Sequence, residues 1–446
     1  MKNTKRFALA VMVFALMFSW AMPVSAQTLY GSVLGQIEDP SGGAIVQSTV
    51  TLTNKDTGQV YEGKADETGR FQLANVTPGD YDLKVSAAGF KTQTRTDIHV
   101  SAAALTRSDF KMEVGAIAEQ ITVESTATLL QTDKSDTHTE LNAKQVANLP
   151  LSGFRNYQSL INLVPGATPA VFQNSVTDTP GRSLSTNING TNRNNNVTRI
   201  DGAASVNLWL PHHAGYVMPA EMVEAVNVTT AAGDSDQGMA GGAAVAVLTK
   251  SGTNQFHGSL FEYHDDQHLK AVNYFAKANP LADGTASPKP LSIYNNYGGT
   301  LGGPIKKNKL FFFYSFDGTR QRAGALGTYS VPTADMRAGN FSTSGTIIYD
   351  PLTGAADGTN RTAFAGGIIP PSRLSPQALK IQSFYPASNL SGAQANYIAS
   401  AVPLFNRDYN DVKINYNLSD KQQVFGHYGR MKALVVGKNL FGDGVG

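Results

Sequence analysis

The chain contains no cysteine, which excludes disulfides, thiolate metal sites and cysteine nucleophiles. Charge is scarce: 16% of the residues are Asp, Glu, Lys or Arg, against about 25% in an ordinary globular protein. The net charge of +2 offers no basic surface to attract nucleic acid. Beyond residue 26 no apolar run approaches the ~18 residues of a membrane-spanning helix. A chain of this kind can enter a membrane only as a closed β-barrel, because lipid cannot satisfy exposed backbone amides. What is present is 43 glycines and many Asn, Ser and Thr in 446 residues. That is a composition of strands and turns, with room for about three domains.

The first residues carry an address. Lys2, Lys5 and Arg6 precede an apolar run over 7–22, and Val24-Ser25-Ala26 then offers a small-x-small cleavage site before Gln27. The run is shorter than the ~20 residues needed to span a bilayer. Residues 1–26 therefore read as a cleaved secretory signal.

Residues 27–114 show alternating runs at 31–38, 45–54, 59–65, 69–73, 79–87, 92–100 and 105–111. Turn signals such as Asp39-Pro40-Ser41-Gly42-Gly43 and Thr77-Pro78-Gly79-Asp80 separate them, with Gly and Asp supplying the positive φ that tight turns need. Seven strands in so short a segment predict an immunoglobulin-like sandwich. The succession Gly35-Gln36-Ile37-Glu38-Asp39, Gly69-Arg70-Phe71, Pro78-Gly79-Asp80-Tyr81 and Ala88-Gly89-Phe90 resembles the carboxypeptidase regulatory-like domain. That resemblance implies an accessory, carbohydrate-binding-like module without catalysis. Tyr81 and Phe90 either stack on a sugar or fill the core.

Residues 115–250 read as mixed α/β. Ile117, Gln120, Ile121, Thr122 and Val123 lie in an extended segment, either a strand offered edge-to-edge to a partner or the first strand of the new domain. Asn142 can cap a short helix at 143–148 that Pro150 closes. Leu149-Pro150-Leu151-Ser152-Gly153-Phe154-Arg155-Asn156-Tyr157, Ile188-Asn189-Gly190-Thr191-Asn192-Arg193-Asn194-Asn195-Asn196 and Thr198-Arg199-Ile200-Asp201-Gly202 follow in order. Together they resemble the plug of Oar-like TonB-dependent transporters, which makes the segment around Gln120 a TonB-box candidate. The loop 206–216 holds Trp209, His212, His213 and Tyr216. An aromatic loop without a core period either meets ligand from the plug's apex or contacts the barrel wall. Two adjacent His with no carboxylate beside them predict a solvated loop, not a metal site.

Between Gly241 and Tyr263 the pattern changes to longer strands. Val412, Ile414, Tyr416 and Leu418 alternate with Asp411, Lys413, Asn415 and Asn417, as a wall between lipid and a wet lumen requires. Strands are expected at 254–264, 293–303, 308–318, 408–418 and 422–431, with connections that run long, short, long, short. Outer-membrane barrels place long loops outside and tight turns in the periplasm, so the first strand should head outward. Thr249-Lys250-Ser251-Gly252-Thr253-Asn254-Gln255-Phe256-His257-Gly258-Ser259 and Gly298-Gly299-Thr300-Leu301-Gly302-Gly303-Pro304-Ile305 are similar to the start of an Oar-like barrel. Five strands over 251–446 cannot close, and plugged transporters of this kind use about 22. The sequence therefore predicts a barrel that continues beyond Gly446.

No P-loop, Gly-x-Ser-x-Gly elbow or His-Glu-x-x-His motif is present, and neither catalysis nor a cofactor is expected. The fold class expected is mainly β: a sandwich, a mixed α/β plug, and the first strands of a transmembrane antiparallel barrel. The resemblance implies a transporter in the outer membrane that takes up a large ligand, a saccharide or a peptide, with TonB as energy-transducing partner. The alternative is a secreted carbohydrate-binding or adhesion protein built on the sandwich.

Overall fold

The computed structural model describes residues 30–115, 120–124, 136–149, 155–169, 186–207, 209, 213–231, 241–272, 274, 289–419, 422–437 and 441. The expected signal at 1–26, Ile117 and His212 lie outside the described residues. Two compact units divide the chain. One holds Met1–Ser259, Thr300–Ser315 and Asp411–Gly429; the other holds Leu260–Gly299, Phe316–Asn410 and Arg430–Gly446.

The first unit begins with β1 (Gly31–Glu38), β2 (Thr49–Asn54), β3 (Val60–Lys64), β4 (Arg70–Val76), β5 (Gly79–Ser86), β6 (Thr92–Val100), β7 (Leu105–Arg107) and β8 (Phe110–Lys111). One sheet has the order β4-β1-β7, with β8 also on β1; the other has the order β3-β2-β5-β6 and ends on β9 (Gln120–Glu124). β1 alternates buried and half-buried along its length, the period a half-covered strand requires. Val33, Ile37, Val50, Leu52, Phe71, Leu83, Val85 and Phe110 from both sheets share one core. Each such side chain contributes about 1.5–3 kcal/mol by leaving water. Tyr81 has no exposed surface and its hydroxyl donates to the Thr77 carbonyl at 2.5 Å, so it fills the core and offers no face to a sugar. Phe90 packs against the same cluster.

The run expected at 105–111 is split. Between β7 and β8 the carboxylate of Asp109, not a carbonyl, accepts the N–H of Gln36 at 2.9 Å. β9 lies parallel to β6, from Thr92↔Gln120 to Thr96↔Glu124. Gln120, Ile121, Thr122 and Val123 therefore extend the sandwich and do not start the next sheet.

That next sheet has the order β10-β15-β16-β13-β14. Its region comprises β10 (Thr137–Asn142), α1 (Ala143–Asn148), α2 (Tyr157–Ile161), β11 (Ala167–Pro169), β12 (Thr186–Ile188), β13 (Val197–Ile200), β14 (Ala203–Ala204), β15 (Val223–Ala231) and β16 (Ala244–Thr249). The helix at 143–148 forms where Asn142 and Gln145 cap it reciprocally, satisfying two amides that a helix start leaves open. Leu160, Ile188, Met222, Val226, Val228, Val245 and Val247 make the core.

The remaining strands are β17 (His257–Asp266), β18 (Ser292–Lys306), β19 (Leu310–Ala323), β20 (Ala325–Tyr329), β21 (Tyr397–Ala401), β22 (Leu404–Ser419) and β23 (Gln422–Val436). Five of them form one sheet in chain order, β17-β18-β19-β22-β23. Its connections alternate long and short, at 267–291, 307–309, 324–403 and 420–421. Within 324–403 lie the antiparallel pair β20-β21, α3 (Ala334–Arg337) and α4 (Pro376–Gln382).

The sheet is inside-out by the standards of a water-soluble protein. On β22, Asp411 and Lys413 are 0% and 3% exposed, while Ile414, Tyr416 and Leu418 on the other face are each above 40%. Charge within and apolar side chains without is the pattern of a wall against lipid.

Candidate functional site

Burying Lys413 and Asp411 costs several kcal/mol per charge unless each finds partners. Their partners come from the second region and from β23, all within the first unit. Lys413 Nζ pairs with Asp201 Oδ1 at 3.1 Å and donates to the Thr249 hydroxyl at 2.8 Å and its carbonyl at 3.2 Å. Asp201 stands just after β13 with φ +47°, a left-handed turn position that Asp tolerates better than most residues. That turn points its carboxylate at the end of β16, where it accepts the Thr249 N–H at 3.0 Å and hydroxyl at 2.5 Å.

From β23, His427 lies between the two acids, with Nδ1 3.9 Å from Asp201 Oδ2 and Nε2 3.3 Å from Asp411 Oδ1. The Tyr216 hydroxyl donates to the same Asp411 oxygen at 3.0 Å. The result is one chain of contacts, Lys413, Asp201, His427, Asp411, Tyr216, whose three charged members Lys413, Asp201 and Asp411 are buried, tying the α/β region to β22 and β23. Phe425 adds a ring 5.2 Å from the ammonium of Lys413, a cation–π contact. Gly429 makes room: a Cβ there would stand 2.7 Å from both Asp411 Oδ1 and the Tyr216 ring.

A second polar joint fixes the sandwich to the α/β region. His99 on β6 contacts Asp80 at 2.7 Å and Glu140 of β10 at 3.3 Å. Glu140 also accepts the Ser101 hydroxyl, and Asn227 of β15 donates to the Ala102 carbonyl at 2.7 Å. The hydrogen bond to Asp80, then the one to Glu140, raises the His99 imidazole to about 10. Asp80 is lowered in turn, chiefly by His99. Burial works against ionised Glu140, yet His99 and Ser101 outweigh it and lower that carboxyl also. His99 is thus an imidazolium held between two carboxylates. Between the two joints lies a cavity of about 470 Å³, with His99, Glu140, Glu224, Asp201 and Lys413 on its wall. Desolvation raises the Glu224 carboxyl, with Lys250 opposing.

Residues 248–445 match the outer membrane beta barrel domain, and residues 32–113 match the carboxypeptidase regulatory-like domain. Over 316 residues the sequence is 24% identical to the TonB-dependent transporter Oar of Myxococcus xanthus. The chain is a homologue of that transporter. Its place is accordingly the outer membrane, and its relative is a transporter, not an enzyme. The match takes in 69% of this chain but only 28% of the relative, so the chain spans under a third of the relative's length. Among solved structures, the siderophore receptor PirA of Acinetobacter baumannii is similar at 16% identity and TM-score 0.37, over 67% of this chain and 32% of that one. The outer membrane transporter YddB of Escherichia coli is similar at 12% identity and TM-score 0.38, over 64% and 31%.

The residues singled out from sequence part company. An isolated bridge, Val206↔Ala214, and the Asn207 N–H to His213 carbonyl bond at 2.9 Å close a small loop. Trp209 within it is 91% exposed, while Tyr216 just beyond is committed to Asp411. Trp209 and Tyr216 therefore do not form one cluster. Among the described residues no group of three or more His, Asp or Glu could hold a metal. Sequence reading did not select Asp201, Asp411, Lys413 and His427 of this chain of contacts, nor Thr249 that bonds to it. One signal was available: a charged residue opposite a lipid-facing apolar row must find a partner. The partner's identity was not encoded nearby.

Proposed function

We propose that this chain works as a TonB-dependent transporter and holds its gating region. Residues 136–249 act as a plug, held against the wall by the chain from Lys413 to Tyr216. The observation that carries this reading is the burial of Lys413 and Asp201 against each other between an inside-out strand and the α/β region. A polar latch suits a plug that must move, because hydrogen-bonded and ionic contacts exchange with water, whereas a greasy interface would seize. The transported ligand is a large one, a saccharide or a peptide, with Trp209 presented to it on an exposed loop. TonB would reach the protein through the segment that includes Gln120, Ile121, Thr122 and Val123, which among the described residues ends its sheet, an edge of the kind a partner strand extends.

A direct test is to pair cysteines across the latch at Lys413 and Asp201 in the membrane-embedded protein and measure TonB-dependent uptake. Oxidation should abolish uptake and reduction should restore it. Uptake that persists while the two positions are crosslinked would rule out plug movement at this joint.

A further inference from the structure

The second unit holds a built aromatic site that the transport reading does not use. Tyr329 of β20 and Tyr397 of β21 stand opposite each other in register in a two-stranded antiparallel sheet. Tyr385 follows α4. The three rings converge on Phe441, with centroid separations of 5.8 Å from Tyr329, 5.6 Å from Tyr385 and 5.9 Å from Tyr397. These are the spacings of favourable tilted and edge contacts. All four side chains are only half-buried, so the cluster opens to solvent and is not a closed core.

The tyrosines are positioned independently of Phe441. Arg337 donates to the carbonyls of Gln382 at 3.1 Å, Tyr385 at 3.2 Å and Pro386 at 2.6 Å, which fixes the backbone that carries Tyr385. Beside Tyr397, fully buried Asn396 makes two bonds to the backbone of Val331, at 2.8 and 2.9 Å. Asn389 likewise bonds the N–H and the carbonyl of Ile398, each at 2.8 Å. A socket held open by guanidinium and amide clamps loses little conformational entropy when filled.

We propose that these three tyrosines are a binding socket for the aromatic side chain of a peptide ligand, occupied in this structure by the chain's own Phe441. Phe441 shows the chemistry that fits, and it competes with any incoming ring. Wild-type affinity is therefore reduced by the fraction of time the socket is self-filled. Only the placement of the socket on an outward loop rests on the transporter reading; the binding itself does not.

The probe is the capped tripeptide Gly-Phe-Gly, with Gly-Ala-Gly as control, titrated against the full chain in lipid vesicles. Phe441→Ala should bind the phenylalanine peptide about tenfold more tightly than the unaltered protein. Tyr385→Ala added to it should remove that binding, and the alanine peptide should bind neither. In the unaltered protein, saturating phenylalanine peptide should speed amide exchange at 436–437 and 441 while leaving 325–401 protected. The proposal is overturned if Phe441→Ala gains no preference for the phenylalanine peptide. It is equally overturned if Phe441→Ala deprotects 325–401, since Phe441 would then be a structural pin. A socket that binds the peptide in a protein that fails to transport would sink the transporter reading and leave this one standing.

Discussion

At the scale of single residues, the costs fall where charges are buried. Lys413→Met leaves Asp201 buried without its cation, and removal of one member of such a pair costs about 3–5 kcal/mol. Chemical denaturation in lipid vesicles should show that loss. Asp201→Asn combined with Lys413→Met should recover most of it, because no lone charge remains. A double variant as unstable as the single one would mean that packing, not charge, is at stake.

His99 gives a pH signature whose sign can be worked out. Its folded value, about 10, lies above the ordinary histidine value of about 6.5. Its contribution is thus complete below about pH 6.5 and is lost as the pH rises through about 10. Asp80 and Glu140 are lowered, so their contribution is present above their ordinary values and fades as acid reaches their folded ones. The joint between sandwich and α/β region should therefore weaken at both extremes, read by amide exchange in β6 and β10. His99→Ala should flatten the alkaline arm. If that arm survives unchanged, the joint does not depend on the imidazolium.

At the scale of elements, periodicity was the most legible signal. The alternation of Val412, Ile414, Tyr416 and Leu418 with Asp411, Lys413, Asn415 and Asn417 reappears as exposure and burial on β22. This follows from geometry, since successive strand side chains must point to opposite faces. Ile414→Arg should accordingly cost about 2–4 kcal/mol near the bilayer midplane, measured as lower urea resistance in vesicles, and Asn415→Ala much less. Equal effects would remove the assignment of faces. The helix cap was legible for the same local reason, and Asn142→Ala should cost about 1 kcal/mol. The break between β7 and β8 was not, because it depends on Asp109 meeting Gln36, 73 positions away. Nor was the docking of β9 on β6: an extended segment states that it can pair, but not with which edge.

At the scale of the whole molecule, family matches cover residues 32–113 and 248–445. If residues 1–26 are a cleaved signal, mass spectrometry of protein recovered from the outer membrane should find Gln27 as its first residue. Retention of 1–26 would make that segment an anchor instead.

By itself the sequence determined the two-residue alternation along strands such as β22, the capped helix at 143–148 and the long-short order of the connections in the five-stranded sheet. All of these arise between neighbours a few positions apart. Only the tertiary structure decided that Lys413 closes on Asp201, 212 positions away, and that Tyr216 turns to Asp411 while Trp209 faces solvent. Pairing at that distance depends on how whole sheets come together, and a buried charge states its need for a partner without naming it.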